Sequence, residues 1–246
     1  MSPAHSRPSR RRPFGLLAIV AAGGLVTVAI VASNQASAAA GGVDCADVHV
    51  ITARGSTEAP GEGSTGALVT QVVNASDQAV SRAAVDYPAT LTNYANSSAQ
   101  GVSALTTQLT RQVRQCPDQK IVLAGFSQGA HVVLDVLGGG GGGVLGTATP
   151  PISSSVASHV TAIAMFGDPR QVVDQPFDLG TSTRNGLFPR SAAQLRTLAG
   201  FADRIQAYCD SGDPFCDRGL NVAVHSSYLD RYQNDAAAFV LDKIGG

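Results

Sequence analysis

Gly125-Phe126-Ser127-Gln128-Gly129 fits the pattern Gly-x-Ser-x-Gly. On a sharp turn from strand to helix, that pattern lifts a serine hydroxyl above the end of a parallel sheet. An apolar run beginning at Lys120 precedes it and an amphipathic run to Leu137 follows it, so a strand and a helix flank the motif as the turn demands. Glycine suits both outer positions, because strand and helix nearly touch there. A serine at a helix N-terminus also has free backbone N–H groups and a positive dipole aimed at any developing oxyanion. The hydroxyl is a weak nucleophile until a base in hydrogen-bond reach, oriented by a third group, takes its proton. The chain holds five histidines. His5 sits in the N-terminal leader, His49 within an expected strand, His159 at the approach to another, and His131 one helical turn beyond Ser127, where the helix leads away. His225, in a turn before the last helix, is the candidate general base.

The acid is expected between serine and histidine, the chain order of α/β-hydrolases. Asp213 lies inside Cys209-Asp-Ser-Gly-Asp-Pro-Phe-Cys216, where a disulfide would hold a carboxylate still. Asp210 and Asp217 share that neighbourhood. Asp168 follows a strand end, and its alternative role is to cap the Gly167-Asp168-Pro169 turn. Spacing alone leaves these four open. An oxyanion needs two or more preset donors. The backbone N–H of Gln128, next after the serine, is one. Ser56, in the loop Arg54-Gly55-Ser56-Thr57 after the first strand, offers an N–H and a hydroxyl; the alternative is that this loop merely turns the chain.

These groups have to be held by a framework, and the pattern of the chain supplies one. Val48 to Ala53 is β-branched and apolar, a first strand. Ala67 to Asn74 reads as a helix, and Ala83 to Tyr87 as a second strand ended by Pro88. Ser97 to Gln115 is the clearest helix, with Val102, Leu105, Leu109 and Val113 in one apolar stripe. Val160 to Phe166 and Ile205 to Tyr208 are further strands, and Tyr232, Ala236, Phe239, Val240 and Ile244 give the final helix its buried face. Gly138 to Gly143, six consecutive glycines, reads as a loop. Strands alternating with helices predict an α/β fold, a mostly parallel sheet covered on both faces.

Arg7, Arg10, Arg11 and Arg12 precede an apolar run from Phe14 to Ala32, and Ala36-Ser37-Ala38 follows as a small-residue cleavage site. This is the layout of a secretory signal peptide. Arg11-Arg12-Pro13-Phe14 partly resembles a twin-arginine signal. An uncleaved anchor competes, since the run is nearly long enough to span a bilayer, but Gly23-Gly24 and the cleavage site speak against it. Residues 1–38 are therefore expected to be removed, leaving 39–246 as a single secreted domain with no stable membrane insertion. Loss of four arginines makes that domain more acidic than the whole chain's net charge of −1. No basic footprint exists, so nucleic acid is not an expected partner. The four cysteines, Cys45, Cys116, Cys209 and Cys216, all lie in the exported part. Disulfides are expected, with three possible pairings. Cys209 and Cys216 would close a small loop, and Cys45 would then pair with Cys116. A zinc site competes, but no Cys-x-x-Cys pair or neighbouring histidine supports it, so no metal is expected.

Taken together, Ala53-Arg-Gly-Ser56-Thr-Glu58, Gly125-Phe-Ser127-Gln-Gly-Ala130, the Cys209–Cys216 segment and His225 resemble the cutinase family of serine esterases, from about Cys45 to the C-terminus. The resemblance implies Ser127 as nucleophile, His225 as base, Asp213 as its partner, Ser56 and Gln128 as oxyanion donors, and the two disulfides above. It implies a small lidless α/β-hydrolase with a five-stranded, mainly parallel sheet. A monomer is expected, and acyl transfer through a serine needs no cofactor. The expected substrates are esters: cutin-like polyester, lipid ester or acetylated polysaccharide. Met165-Phe166-Gly167-Asp168-Pro169 and Tyr208 to Pro214 look more like the acetyl xylan esterase branch, and Ala130 more like the cutinase branch. A catalytically silent surface protein and an acyltransferase are the alternatives on the same fold. Phe126, Phe215, Leu220, Val222 and Val224 read either as core or as the wall of an apolar acyl groove.

Overall fold

The computed structural model describes residues 45–245, so the expected signal segment, its cleavage site and His5 lie outside the described residues. Six strands, β1 (Val48–Ala53), β2 (Val80–Ala84), β3 (Lys120–Phe126), β4 (Val160–Phe166), β5 (Asp178–Leu179) and β6 (Ile205–Tyr208), form one sheet in the order β2-β1-β3-β4-β6-β5. Each of its pairings is parallel. The expectation of five strands is corrected to six. The extra one, β5, is two residues long at the sheet edge, too short to leave a pattern in sequence. Strand β2 also lies earlier than the expected Ala83 to Tyr87. The carbonyls of Val85 and Tyr87 are taken by the Arg54 guanidinium, so the chain leaves the ladder to meet that side chain.

The helices are α1 (Gly66–Ala75), α2 (Tyr94–Gln115), α3 (Gln128–Gly138), α4 (Ser154–Ala157), α5 (Ala192–Ala199), α6 (Val222–Ser226) and α7 (Tyr228–Ile244). Successive strand side chains point to opposite faces, and both faces are covered. Leu123, Ile163 and Met165 pack with Leu105 of α2, Leu134 of α3 and Leu198 of α5. Val122, Ala164 and Phe166 pack with Leu68 of α1 and Val240 of α7. The central strands β3 and β4 are mostly apolar because neither face meets water. The glycine run departs from a plain loop at both ends: Gly138 closes α3, Gly140 bridges to Thr149, and Gly143 opens a short 3-10 turn. Among the described residues no helix is long and apolar enough to cross a membrane.

Strand order reverses between β1 and β3: β1 leads outward to β2, whereas β3 leads the other way to β4. In such sheets the crevice beyond the carboxyl ends at the reversal point is where ligands bind. The last register pair of β1 and β3 is Ala53 with Gly125. The Ser56 loop and Ser127 thus leave the sheet side by side.

A charged cluster under α3 braces that edge. Buried Asp135 accepts hydrogen bonds from Arg170, from Arg190 at 3.2 Å, from His131 at 3.1 Å and from the Gly141 N–H at 3.1 Å. Burial pushes the Asp135 carboxyl up, but His131, Arg190 and Arg170 outweigh it and bring it down to about 2. A carboxylate depressed in the folded state contributes stability that is complete above its unfolded pKa of about 3.9 and is lost as pH falls toward the folded value. Asp135→Asn is expected to cost about 3–5 kcal/mol at neutral pH, because two buried arginines lose their shared anion. Urea unfolding at neutral pH and at about pH 3 checks this, with the gap to wild type narrowing at the lower pH.

Candidate active site

Ser127 caps α3 with φ 55° and ψ −118°, a conformation that costs a non-glycine residue about 1–3 kcal/mol. Its N–H donates to Phe166 O at 2.8 Å, and its carbonyl accepts from His131 N at 3.1 Å, so sheet and helix hold the strain from both sides. The turn also depends on its glycines. A Cβ on Gly125 would lie 2.8 Å from the backbone of Gly129 and Ala130, and one on Gly129 would lie 1.9 Å from Ala53 O. The first turn of α3 therefore rests directly on the end of β1. Gln128 opens the helix, so its N–H has no carbonyl one turn back to bond. Its side chain is buried and tied to the 90–97 segment through Ser97, Thr90 and Tyr94.

The loop after β1 is fixed as firmly. Glu58 accepts from the Gly55 N–H and from the N–H and hydroxyl of Ser64. Arg54 donates to Glu58 O at 3.0 Å, and the Tyr87 hydroxyl donates to Arg54 O. Within this frame the Ser56 hydroxyl is buried without a hydrogen-bond partner among the described residues. A buried polar atom normally finds a partner, and this one lies on the loop that leaves the sheet beside the serine turn.

His225 lies in α6 rather than in the expected turn. Its Nδ1 is 2.7 Å from Asp213 Oδ2. A carboxylate only accepts, so Nδ1 carries the proton and Nε2 is left as the basic nitrogen. The ring is boxed in by Phe126 at 4.9 Å and Phe215 at 4.4 Å between centroids. Gly167, at the end of β4, is so close that a Cβ there would stand 2.8 Å from the imidazole. The Phe126 ring also covers Gly55, which ties histidine, serine turn and Ser56 loop together. The other histidines among the described residues are occupied elsewhere: His49 with Ser81, His159 with Pro117 O, and His131 with Asp135 and the Tyr94 hydroxyl.

Asp213 is fully buried. Besides His225 it accepts from the N–H groups of Phe215 at 2.6 Å and Cys216 at 3.0 Å, and from the Tyr228 hydroxyl at 2.8 Å. Burial pushes its carboxyl up, but the hydrogen bond and charge of His225 with the two N–H donors bring it below the usual carboxylate range. The three rival aspartates are engaged away from His225. Asp210 accepts from Thr181 and Tyr232, Asp217 from Ser182 and Arg184, and Asp168 from Arg190 and from the Arg170 N–H. The last bond caps the Gly-Asp-Pro turn. Cys209 is bonded to Cys216, and Cys45 to Cys116, so the first bridge encloses Asp213 in a loop spanning seven positions. Tyr228 carries no motif of its own; its only sequence signal is its place three residues after His225.

A parallel sheet with a serine turn at its reversal point, and a carboxylate-held imidazole over the same edge, is the arrangement of the α/β-hydrolases. A family profile described as Cutinase matches residues 44–244. Cutinase 11 of Verticillium dahliae is 36% identical over 232 residues, covering 89% of this chain and 77% of its own. Acetylxylan esterase 2 of Talaromyces purpureogenus is 35% identical over 211 residues, 82% of this chain and 88% of its own. A solved iodinated complex of acetyl xylan esterase superposes with a TM-score of 0.76 at 35% identity, covering 82% of this chain and 100% of that one. The chain belongs to the cutinase family, as a serine esterase whose relatives include hydrolases of carboxylic esters. Its two disulfides fit an oxidising compartment.

Proposed function

We propose that the chain is exported, loses residues 1–38, and works as a monomeric, lidless carboxylesterase through Ser127, His225 and Asp213. His225 Nε2 takes the Ser127 hydroxyl proton as Oγ attacks the ester carbonyl carbon. The tetrahedral oxyanion accepts hydrogen bonds from Ser56 and the Gln128 N–H. Collapse breaks the bond to the alcohol oxygen, which receives the proton from His225. A water, deprotonated in turn by His225, attacks the acyl-enzyme and releases the carboxylic acid. The charged imidazole formed in each half is balanced by Asp213.

The substrate reading is esters of apolar acyl chains, including polyesters of the cutin type. It is carried by the apolar rim around His225. Leu220 is 97% and Val222 62% exposed, on the segment that enters α6. Leu187, also exposed, is bonded to the backbone of Phe215, whose ring lies on the histidine. Phe126, Phe215 and Val224 are half-buried. Of the five candidates for an acyl wall, none is fully buried core, which supports this reading. A second reading, deacetylation of polysaccharide, is favoured by the full-length match to a solved acetyl xylan esterase. The test is kcat/KM over 4-nitrophenyl esters from acetate to dodecanoate, with Ser127→Ala as control. The expected optimum is a medium chain; turnover confined to acetate selects the second reading, and Ser127-independent turnover overturns both.

A further inference from the structure

We infer that Tyr228 is a positioning residue for the acyl-transfer reaction: its hydroxyl fixes the Asp213 carboxylate on which His225 turns. The inference rests on the reading of Asp213 and His225 given above. Tyr228 begins α7 and is completely buried. Its oxygen accepts the Asp210 N–H at 2.8 Å, lies 3.3 Å from Cys216 Sγ, and stands 2.8 Å from Asp213 Oδ2. A phenol has one proton. Since Asp210 N–H already donates to the oxygen, that proton goes to the carboxylate. The direction of the bond is therefore imposed by its surroundings.

Oδ1 is held by two backbone N–H groups, which orient the carboxylate only as far as the loop is rigid. Oδ2 receives His225 Nδ1 and the Tyr228 hydroxyl together. The tyrosine thus anchors the very oxygen that orients the base, and joins it to the disulfide loop and to α7. The ring alone could pack as a phenylalanine, with its edge toward His225 at 6.1 Å and its flank on Gly167. The hydroxyl is the part that packing does not explain. Burial, then the Asp213 charge, pushes the phenol up, so it remains a donor across the working range. The groups facing it are Asp210 and Asp213 from the disulfide loop, His225 from α6, and Arg231 and Tyr232 from α7, with Arg231 4.9 Å over its ring. β4 faces it with the backbone of Gly167.

Tyr228→Phe is expected to lower kcat on 4-nitrophenyl butanoate about ten- to a hundredfold with KM unchanged, the loss of one hydrogen bond to a buried charge. Without the hydroxyl more negative charge stays on Oδ2, which favours the charged imidazole, so the acidic limb of kcat/KM moves to higher pH. Fluorotyrosine at position 228 keeps ring and hydroxyl but strengthens the donor, and should move that limb to lower pH. Tyr232→Phe, which removes a hydroxyl from Asp210 instead, should keep the wild-type kcat. The deciding measurement is a double-mutant cycle. In an Asp213→Asn background, Tyr228→Phe should cost less than about twofold, because its effect runs through that carboxylate. A full multiplicative loss there, an unmoved pH profile, or a wild-type kcat in Tyr228→Phe overturns the inference alone. A wild-type rate in Asp213→Asn overturns the underlying assignment with it.

Discussion

Replacing Ser127, the proposed nucleophile, by alanine is expected to lower kcat by about a hundred-thousand- to a millionfold, the loss seen when a nucleophile is removed from a working triad. The fold should survive. The bonds that hold this residue, Ser127 N–H to Phe166 O and His131 N–H to Ser127 O, belong to the backbone. Alanine keeps them, and it keeps the strained φ of 55° as well. Ser127→Gly separates the two consequences. Glycine accepts a positive φ without steric cost, and the relief of about 1–3 kcal/mol of strain exceeds the entropy that glycine adds to the unfolded chain, about 1 kcal/mol. The glycine variant should be as inactive as the alanine one and unfold at a higher urea concentration than it. Steady-state kinetics with urea unfolding on both variants checks the pair. An alanine variant that keeps turning over, or a glycine variant less stable than alanine, contradicts the account of the turn.

The serine turn was legible because its information is local. Within Lys120 to Leu137 the strand, the glycines and the helix are all encoded in contiguous residues, and the elements form almost where the pattern puts them. The partner proposed for His225 is not legible in this way. Asp210, Asp213 and Asp217 all lie within the fifteen positions before His225, and what separates them is which neighbours reach each carboxylate: Thr181 and Tyr232, Tyr228 and His225, or Ser182 and Arg184. Those choices are tertiary. Residue spacing leaves the aspartates open, and only the family resemblance narrows them. The Asp135 cluster escaped altogether, since Arg170 and Arg190 lie 35 and 55 positions away and no short pattern links them. Strand β2 was displaced for the same kind of reason: local β-propensity around Val85 yielded to the donors of Arg54. Tyr228 looks like any helix-starting aromatic until the loop before it is folded.

Gly129→Ala is expected to prevent folding or to cost more than about 5 kcal/mol, at the upper end of single substitutions. The argument lies in what the new Cβ would meet. Ala53 O would stand 1.9 Å away, Ala53 C 2.4 Å and Arg54 O 2.7 Å, all of them backbone. No rotamer change relieves such a contact. Ala53 is the last rung of β1 against β3, so either the ladder opens or α3 lifts from the sheet. Gly138, at the other end of α3, gives the contrast. Its Cβ would meet Leu198 side-chain atoms at 2.7 to 3.2 Å, which can shift, so Gly138→Ala should cost only about 1–3 kcal/mol of overpacking. Any Gly129→Ala protein recovered should also lose activity beyond its loss of stability. Moving Ala53 and Arg54 carries Ser56 away from Gln128, its proposed partner in the oxyanion site, and removing one oxyanion donor costs about a hundred- to a thousandfold in kcat. Urea midpoints and kcat for the two alanine variants, made side by side, test whether this single close approach sets both the turn and the oxyanion site. Equal stability of the two would mean that it does not.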